Sequence, residues 1–217
     1  MVMCTTIPMT YLLNSEAAFR FDWRRSLEEI YRGRNLSFFE SSQSIPMHSH
    51  EVWVVCRGVV QLSTLHPSGD EVLVGLAFQS MPFGLPLTML EPYQAIALSD
   101  VDLMRFTMAE IEESPELSLS IFRHLNRRLQ QAEAMLALVS NKRVEDRLRE
   151  ILLFLKKEVG QPTDGGMRLS IRLTHQHLAN AISSTRVTVT RALGQLQADG
   201  WLWIDRDRHI VIAEEAV

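Results

Sequence analysis

The chain has 217 residues, 46% hydrophobic and 22% charged, a composition typical of one large or two modest globular domains and too apolar for intrinsic disorder. Its net charge of −4 argues against non-specific binding to nucleic acid, and two cysteines, Cys4 and Cys56, are too few for a disulfide framework or a four-cysteine metal site. No apolar run approaches the ~18 residues of a membrane span, and no secretory signal is recognisable, so we expect a cytoplasmic protein that does not bind membranes.

The charge is unevenly distributed along the chain. Residues 1–113 carry a net charge of −7, residues 114–142 carry +2 and residues 143–217 carry +1. The segment 165–198 contains four arginines and no acidic residue. A locally positive segment is what a DNA-contacting surface requires, because salt screens the attraction of phosphates within about 10 Å.

The first predicted elements are one or two short helices over residues 15–33. From residue 35 to about residue 105 the pattern changes to short apolar or alternating runs, separated by turn-forming residues at 57–58, 67–70, 81–84 and 99–100. Short strands with turns about every 8–12 residues are typical of a small antiparallel barrel or jelly roll. Within this pattern Cys56 has the position of a buried small hydrophobic residue on a strand, not of a redox switch.

A helical pattern extends from about Met108 to Gly160. Apolar residues recur in it at alternating spacings of three and four, which is the heptad pattern of a coiled coil. The pattern places Phe122, Leu129 and Leu136 at position a, and Leu125, Ala132 and Val139 at position d.

This heptad seam predicts a parallel homodimer joined along residues 115–140. Arg128 then falls at position g and Glu133 at position e, where the two side chains form an ion pair between parallel helices. The alternative is that the helix lies on the barrel of its own chain. The seam is interrupted at residues 140–142, which we interpret as a domain boundary.

After the boundary, an amphipathic stretch precedes a predicted turn over Gln161–Gly166 and a predicted strand over Met167–Leu173. Residues 174–204 then have the pattern of a helix-turn-helix. Thr174 is a helix N-cap candidate, Ser183-Ser184 supplies a tight turn, and Thr185 caps a second helix that ends near Asp199-Gly200. The predicted inward-facing residues are Leu178, Ala179 and Ile182 on the first helix and Val187, Val189, Leu193 and Leu196 on the second.

The second helix opens with side chains that read base edges or hold phosphates when the start of a recognition helix enters the major groove. Two short strands around the charged turn Asp205–Arg208 follow it and form a wing. The helices could instead serve packing alone, but the arginines, the missing acids and the wing favour DNA binding. The candidate DNA contacts are Thr174, His175, Gln176, Ser184, Thr185, Arg186, Val187, Thr188, Thr190 and Arg191.

The order of barrel, long helix and winged helix-turn-helix resembles the CRP/FNR superfamily of transcription regulators over nearly the whole chain. Within it, residues 184–191 (STRVTVTR) are similar to the recognition helix of the cyanobacterial nitrogen-control regulators. The resemblance implies an α+β fold with a jelly-roll, cyclic-nucleotide-binding-like barrel (1–108), a dimerisation helix (109–142) and a winged helix-turn-helix domain (143–217).

The same resemblance implies a palindromic site near GTA-N8-TAC, with Arg186 on the guanine and Arg191 or Thr188 near phosphate. It also implies homodimers on double-stranded DNA, with RNA polymerase as a further partner. One position departs from the family: Ser183 stands where the turn usually has a glycine. A serine held at positive φ costs about 1 kcal/mol.

The effector is less well defined by the sequence. Superfamily members that bind cyclic AMP use a glutamate and an arginine in a cassette corresponding to residues 82–94, which contain no cationic residue here, so we expect no cyclic AMP binding. The nitrogen-control regulators bind 2-oxoglutarate, and Phe83, Gly84, Leu85, Arg128 and Glu133 match their contact positions. Their barrel arginine is replaced by Glu91 or Pro92, and an acid repels a dianion, which argues against a dicarboxylate. A different small acid, or no effector, fits as well.

A competing interpretation starts from His48 and His50, which have the spacing that cupin enzymes use for metal on one side of a strand. A cupin site also needs a later histidine and usually a glutamate three or four residues further on. Glu51 comes too early, His66 is poorly placed, and no histidine follows in the barrel. We therefore expect no metal, no cofactor and no enzymatic activity; the alternatives are a metal-dependent barrel enzyme and a DNA-binding protein controlled by its own abundance.

Overall fold

The computed structural model describes residues 34–214; the helices predicted over 15–33, and Cys4, lie outside the described residues. The strands are β1 (Ser37–Phe39), β2 (Glu51–Arg57), β3 (Val60–Leu65), β4 (Glu71–Ala77), β5 (Pro82–Phe83), β6 (Tyr93–Ala97), β7 (Val101–Thr107), β8 (Gly160–Thr163), β9 (Gly166–Leu169), β10 (Leu202–Ile204) and β11 (Ile210–Ala213). The helices are α1 (Met108–Glu113), α2 (Pro115–Val139), α3 (Val144–Val159), α4 (His175–Ala181) and α5 (Arg186–Ala198), with a 3₁₀ turn at Leu85–Leu87.

The first seven strands form the predicted jelly-roll barrel from two antiparallel sheets. One sheet has the order β1-β7-β2-β5 and the other the order β4-β3-β6. The turn before β3 requires a glycine, because Gly58 has φ 88° and an added Cβ would lie 2.3 Å from the carbonyl oxygen of Asp100. Together with the helices that follow, the barrel confirms the predicted α+β fold.

Two details of the barrel differ from the sequence-based expectation. Residues 81–84 were expected to form only a turn, but Pro82 and Phe83 pair with Val54 and Trp53 of β2 as the short strand β5. Proline is compatible with this position because β5 lies at the edge of its sheet. Cys56 lies on β2 as predicted, but it is only partly buried.

Helix α2 begins where Ser114 accepts a hydrogen bond from the amide of Leu117, with Pro115 in its first turn. The helix presents two different apolar faces. One face packs into the interior of its own chain, and the other carries most of the predicted seam and is exposed to solvent. The exceptions in the seam are Val139, which packs against the core, and Leu125, which is half-buried. The inward face consists of Leu117, Ile121, Gln131, Met135 and Leu138; the exposed seam residues Phe122, Leu129 and Leu136 have relative exposures of 58%, 59% and 71%.

The segment between α3 and α4 forms a hairpin instead of the predicted turn followed by a strand. Residues 160–163 form β8, only Asp164 and Gly165 make the turn, and β9 ends at Leu169 instead of continuing to Leu173. The prediction was wrong because Pro162 suggested a loop, whereas β8 is an edge strand and tolerates proline. β8 and β9 complete a four-stranded sheet of order β10-β11-β9-β8.

The barrel, the long helix and the C-terminal helices share one continuous hydrophobic core. The helical segment is interrupted between α2 and α3 at residues 140–143, close to the predicted boundary. The three predicted domain ranges remain a prediction. At this break Arg147 donates to the carbonyl oxygen of Asn141 (2.8 Å) and the Asn141 amide donates to Glu150 (2.8 Å). Arg127 of α2 forms an ion pair with Glu158 of α3.

Glu71 connects the barrel directly to the helix-turn-helix. One of its carboxylate oxygens accepts a hydrogen bond from the amide of Gln61 on β3 (2.8 Å). The other accepts a hydrogen bond from the amide of Asn180 on α4 (2.9 Å). Because both oxygens are used, the carboxylate fixes the end of β4 against α4. No helix among residues 34–214 is long and apolar enough to cross a membrane.

We predict that Glu71 and Asn180 are energetically coupled. Since a hydrogen bond to a charged group stabilises a fold by roughly 1.5–3 kcal/mol and this pair is only partly buried, the coupling energy should be about 1 kcal/mol. Urea unfolding of Glu71→Ala, Asn180→Ala and the double variant measures it. Asp70→Ala is the matched control, whose effect should simply add to that of Asn180→Ala. Additive effects for Glu71 and Asn180 would contradict the connection.

Candidate DNA-binding interface

Helix α4 begins as predicted at Thr174. The Thr174 hydroxyl accepts a hydrogen bond from the backbone N–H of His177 (3.0 Å), and the His177 imidazole accepts one from the backbone N–H of Thr174 (3.4 Å). This reciprocal pair uses two of the amides that a helix start otherwise leaves without partners. Burial lowers the pKa of His177, although the nearby Glu71 carboxylate opposes the shift. His177 is therefore neutral at neutral pH.

The turn between α4 and α5 is formed as predicted by Ser183 and Ser184. Ser183 has φ 50°, so the serine adopts the left-handed conformation for which glycine is the usual residue. The N–H of Ser184 donates to the carbonyl oxygen of Ala179 (2.9 Å) and closes the turn. The first helix packs inward through Leu178, Ala179 and Ile182, all of which are buried.

Helix α5 begins at the N-cap Thr185, whose hydroxyl accepts a hydrogen bond from the N–H of Thr188 (3.2 Å). The buried face of the helix consists of Val189, Ala192, Leu193 and Leu196. The prediction that Val187 faces inward was wrong, because its side chain is 62% exposed. Two residues along a helix correspond to a rotation of about 200°, which places Val187 opposite Val189.

The exposed face of α5 carries the predicted polar side chains. Arg186, Thr190 and Arg191 are exposed, and Thr188 is partly exposed. The Thr190 hydroxyl donates to the carbonyl oxygen of Arg186 (2.8 Å) and lies 2.7 Å from Nδ1 of His175. This contact holds the starts of the two helices together.

The two helix starts line a common cleft. Its walls are formed by Thr174, His175 and Gln176 from α4 and by Arg186 from α5. Hydroxyl, amide and guanidinium donors therefore converge at one opening, and such groups bind phosphate oxygens and guanine base edges. The structure thus brings together the candidates from both helices, while Ser184 and Thr185 lie in the connecting turn.

The wing follows α5 as predicted. β10 and β11 pair in register from Leu202↔Ile212 to Ile204↔Ile210, and residues 205–209 connect them. β11 also pairs with β9, so the wing is part of the C-terminal sheet.

Comparison with known proteins gives two independent kinds of similarity. Residues 146–216 match the model of the Crp-like helix-turn-helix domain. The chain is 32% identical over 192 residues to a global nitrogen regulator from Synechococcus elongatus, an alignment that covers 84% of this chain and 83% of the relative. It is 35% identical over 159 residues to the global nitrogen regulator of a Nostoc species, covering 69% of this chain and 71% of the relative.

The chain belongs to the CRP/FNR family of transcription regulators. A solved structure of a CRP-family transcriptional regulator from Thermus thermophilus has a TM-score of 0.73, with 19% identity, and covers 83% of this chain and 93% of its own. This similarity shows the common fold. The relatives are named as regulators and not as enzymes, in keeping with a DNA-binding helix-turn-helix protein.

In this CRP/FNR regulator, most of the residues predicted from the resemblance as effector contacts lie close together. The guanidinium of Arg128 on α2 donates to the carbonyl oxygen of Pro82 (3.0 Å) and to the hydroxyl of Tyr93 (3.3 Å), directly beside Phe83. Burial raises the pKa of Tyr93, and Arg128 opposes the shift. Arg128 therefore contacts its own barrel, whereas Glu133 lies on the exposed face of α2.

Gly84 follows β5 and lies against the start of β2. An added Cβ at Gly84 would lie 2.7 Å from the carbonyl oxygen of Glu51, and its φ of 152° favours glycine. Leu85 follows in the 3₁₀ turn and is partly buried. The loop therefore has a backbone path that depends on a glycine.

His48 and His50 do not have the arrangement that a cupin-like site requires. Both are exposed and precede β2 instead of lying on a strand, and their rings are 6.3 Å apart. Within residues 34–214 no three His, Cys, Asp or Glu side chains form a group that could hold a metal ion. His66 contacts Ser68 within the β3–β4 turn.

We predict that Ser183→Gly stabilises this regulator by up to about 1 kcal/mol. The steric cost of serine at positive φ exceeds the entropy that glycine gains in the unfolded chain. Urea unfolding measures the change. Ser184→Gly is the matched control in the same turn and should destabilise, because Ser184 does not have positive φ. Equal effects of the two substitutions would contradict strain at Ser183.

Proposed function

We propose that the chain acts as a homodimer that binds a DNA palindrome through two copies of α5. The observation that carries this proposal is the shared cleft, in which the start of α4 and Arg186 of α5 present hydrogen-bond donors on one exposed surface. The start of α5 enters the major groove, and Arg186 donates two hydrogen bonds to O6 and N7 of a guanine. The other contacts bind phosphates or fix the orientation of α5 in the groove. They come from Thr174, His175, Gln176, Ser184, Thr185, Val187, Thr188, Thr190 and Arg191.

The dimer forms along the exposed seam of α2. The seam residues Phe122, Leu129 and Leu136 point away from the face that packs on the same chain, which speaks against the alternative that the helix serves only its own barrel. These three large side chains, with the half-buried Leu125 and the exposed Ala132 between them, supply an apolar surface that a second copy would cover. The last predicted seam residue, Val139, packs against the core of its own chain. Pairing places two recognition helices about one turn of DNA apart, near 34 Å.

The barrel is the sensor part of this proposal, and residues 1–108, 109–142 and 143–217 serve sensing, dimerisation and DNA binding. Residues 82–94 contain no cationic side chain, which supports the absence of cyclic AMP binding. Arg128 supplies a cation beside Phe83, but Glu91 or Pro92 stands where a second cation would hold a dicarboxylate. We therefore propose control by a small acid other than 2-oxoglutarate, or by the amount of protein. The bound dimer would act at promoters by recruiting or blocking RNA polymerase.

The test is a fluorescence-anisotropy titration of a GTA-N8-TAC duplex and a scrambled duplex at fixed salt, each with and without 2-oxoglutarate. We expect selective binding of the palindrome that 2-oxoglutarate does not strengthen. Binding that rises with 2-oxoglutarate would contradict the proposed effector class. Equal binding to both duplexes would contradict the proposed site.

In the same assay we predict that Arg186→Ala weakens binding to the palindrome by roughly 1–3 kcal/mol and relaxes the preference at one base of each half-site. Arg57→Ala removes an exposed arginine from the barrel and is the matched control, expected to leave binding unchanged. If Arg186→Ala weakened binding equally on both duplexes, Arg186 would be a phosphate contact and not a base contact.

We predict that Leu129→Gln dissociates the dimer. Removing a buried leucine from each helix loses roughly 1.5–3 kcal/mol per side chain, which raises the dimer dissociation constant by about 100-fold or more. Sedimentation equilibrium measures the constant. Leu65→Gln, an exposed leucine on β3, is the matched control. A monomeric wild-type protein, or an unchanged dimer dissociation constant for Leu129→Gln, would contradict dimerisation through the seam.

A further inference from the structure

Glu71 lies where the barrel meets the helix-turn-helix. It begins β4, and its carboxylate accepts hydrogen bonds from the side-chain amides of Gln61 on β3 (2.8 Å) and Asn180 on α4 (2.9 Å). Asn180 in turn accepts a hydrogen bond from the side-chain amide of Gln176 (2.7 Å), which lines the cleft at the start of α4. We call these four side chains the amide relay. It runs from a buried glutamine of the barrel to the candidate DNA-binding interface.

The carboxylate of Glu71 fixes the direction of the bonds in the amide relay. A carboxylate has only acceptor atoms, so Gln61 and Asn180 must both turn their amino groups toward it. The carbonyl oxygen of Asn180 then faces Gln176 and can only accept, so Gln176 must donate. Hydrogen bonds to a charged acceptor are stronger than those between neutral groups. The polar contact between the barrel and α4 therefore has one favoured arrangement.

Other contacts hold the C-terminal helices to the front of the chain at different places. Phe78, directly after β4, packs against Phe154 of α3 with ring centroids 6.1 Å apart. Arg127 of α2 forms an ion pair with Glu158 of α3. These contacts act on α3, and the β8–β9 hairpin separates α3 from α4 along the chain. The amide relay acts on α4 itself, the helix that forms one wall of the cleft.

The orientation of α4 determines where α5 lies. The two helices are joined by a short turn, and the contact between His175 and Thr190 (2.7 Å) holds their starts together, so they move as a unit. In the proposed dimer, the position of α5 relative to α2 sets the distance between the two copies of α5. One base pair more or less between the half-sites moves them by about 3.4 Å and rotates them by about 35°. A helix-turn-helix held to its barrel follows this change only by straining the bond to Glu71.

We propose that Glu71 is a positioning residue that sets the spacing between the two half-sites that the dimer accepts. Through Asn180 it holds α4 and α5 in one orientation relative to the α2 helix of the same subunit, without touching DNA itself. The inference rests on the proposed dimeric DNA-binding function and assigns spacing selectivity to a residue of the barrel. The competing outcomes are a bond that serves stability alone and a bond that holds the helix-turn-helix away from its DNA-binding orientation.

The experiment measures binding of full-length wild type, Glu71→Ala and Asn180→Ala to duplexes with seven, eight or nine base pairs between the GTA and TAC half-sites, at fixed salt. We expect the wild type to prefer eight base pairs and both variants to lose part of this preference. One hydrogen bond corresponds to a factor of about five, so with one bond per subunit the preference should fall by about five- to 25-fold. The double variant should lose no more than either single variant, because both remove the same bond.

The preference is a ratio of affinities, which separates positioning from charge and from misfolding. Loss of an acid near DNA strengthens binding at all three spacings alike, and a partly unfolded sample weakens binding at all three alike. Asp70→Ala removes the neighbouring acid and is the matched control, expected to keep the wild-type preference. Glu71→Gln retains a carbonyl oxygen for Asn180 and should keep most of the preference. Gln176→Ala removes a side chain of the cleft and should weaken binding at the three spacings equally.

The outcomes are distinguishable. If the wild type prefers eight base pairs and Glu71→Ala keeps that preference, the bond serves stability alone and only this inference fails. It also fails if the wild type binds the palindrome at all three spacings equally. If Glu71→Ala binds the eight-base-pair duplex more tightly than Asp70→Ala does, the bond opposes DNA binding and the positioning role is wrong. If the wild type does not distinguish the palindrome from the scrambled duplex, the proposed function fails, and this inference with it. Unfolding midpoints of all variants are measured alongside.

Discussion

The structure depends on helix α2, which has two apolar faces that both need a packing partner. Helix α2 buries one face, with Ile121, Met135 and Leu138, against its own chain and leaves Phe122, Leu129 and Leu136 exposed. A chain that exposes a row of large apolar side chains loses the stabilisation that their burial would bring, and a second copy of the same row is a symmetric way to recover it. In the proposed dimer, the axis and the distance between the two copies of α5 follow from this one surface.

The proposed DNA-binding surface depends on helix α5, which likewise has one buried side and one exposed side. Val189, Leu193 and Leu196 hold α5 against α3 and α4, so the opposite side must face solvent and carries Arg186 and Arg191. The caps at Thr174 and Thr185 satisfy backbone amides at both helix starts and leave the rest of these ends available to a ligand. Packing and capping thus orient the proposed DNA-contacting groups before DNA is present.

Local patterns were sufficient to predict most of this arrangement. The heptad spacing predicted the exposed row of Phe122, Leu129 and Leu136, the threonine caps predicted both helix starts, and the turn spacing predicted the barrel, because each depends on residues close in sequence. The errors arose where position in the sheet or helix outweighed residue type: Val187 is apolar yet exposed, and Pro162 lies in a strand because the strand is an edge. The bond between Glu71 and Asn180 joins residues 109 positions apart, and no local pattern marks such a pair.

An acidic protein can bind DNA when its charges are separated by more than the screening distance. The barrel region carries most of the acidic excess, whereas residues 165–198 carry only positive charge, and salt limits their mutual influence to about 10 Å. Two acids of this region have partners of their own: Glu71 accepts from the amides of Gln61 and Asn180, and Asp205 forms an ion pair with Arg168. The local distribution and pairing of charges, and not the net charge of −4, therefore determine which groups remain available to phosphate.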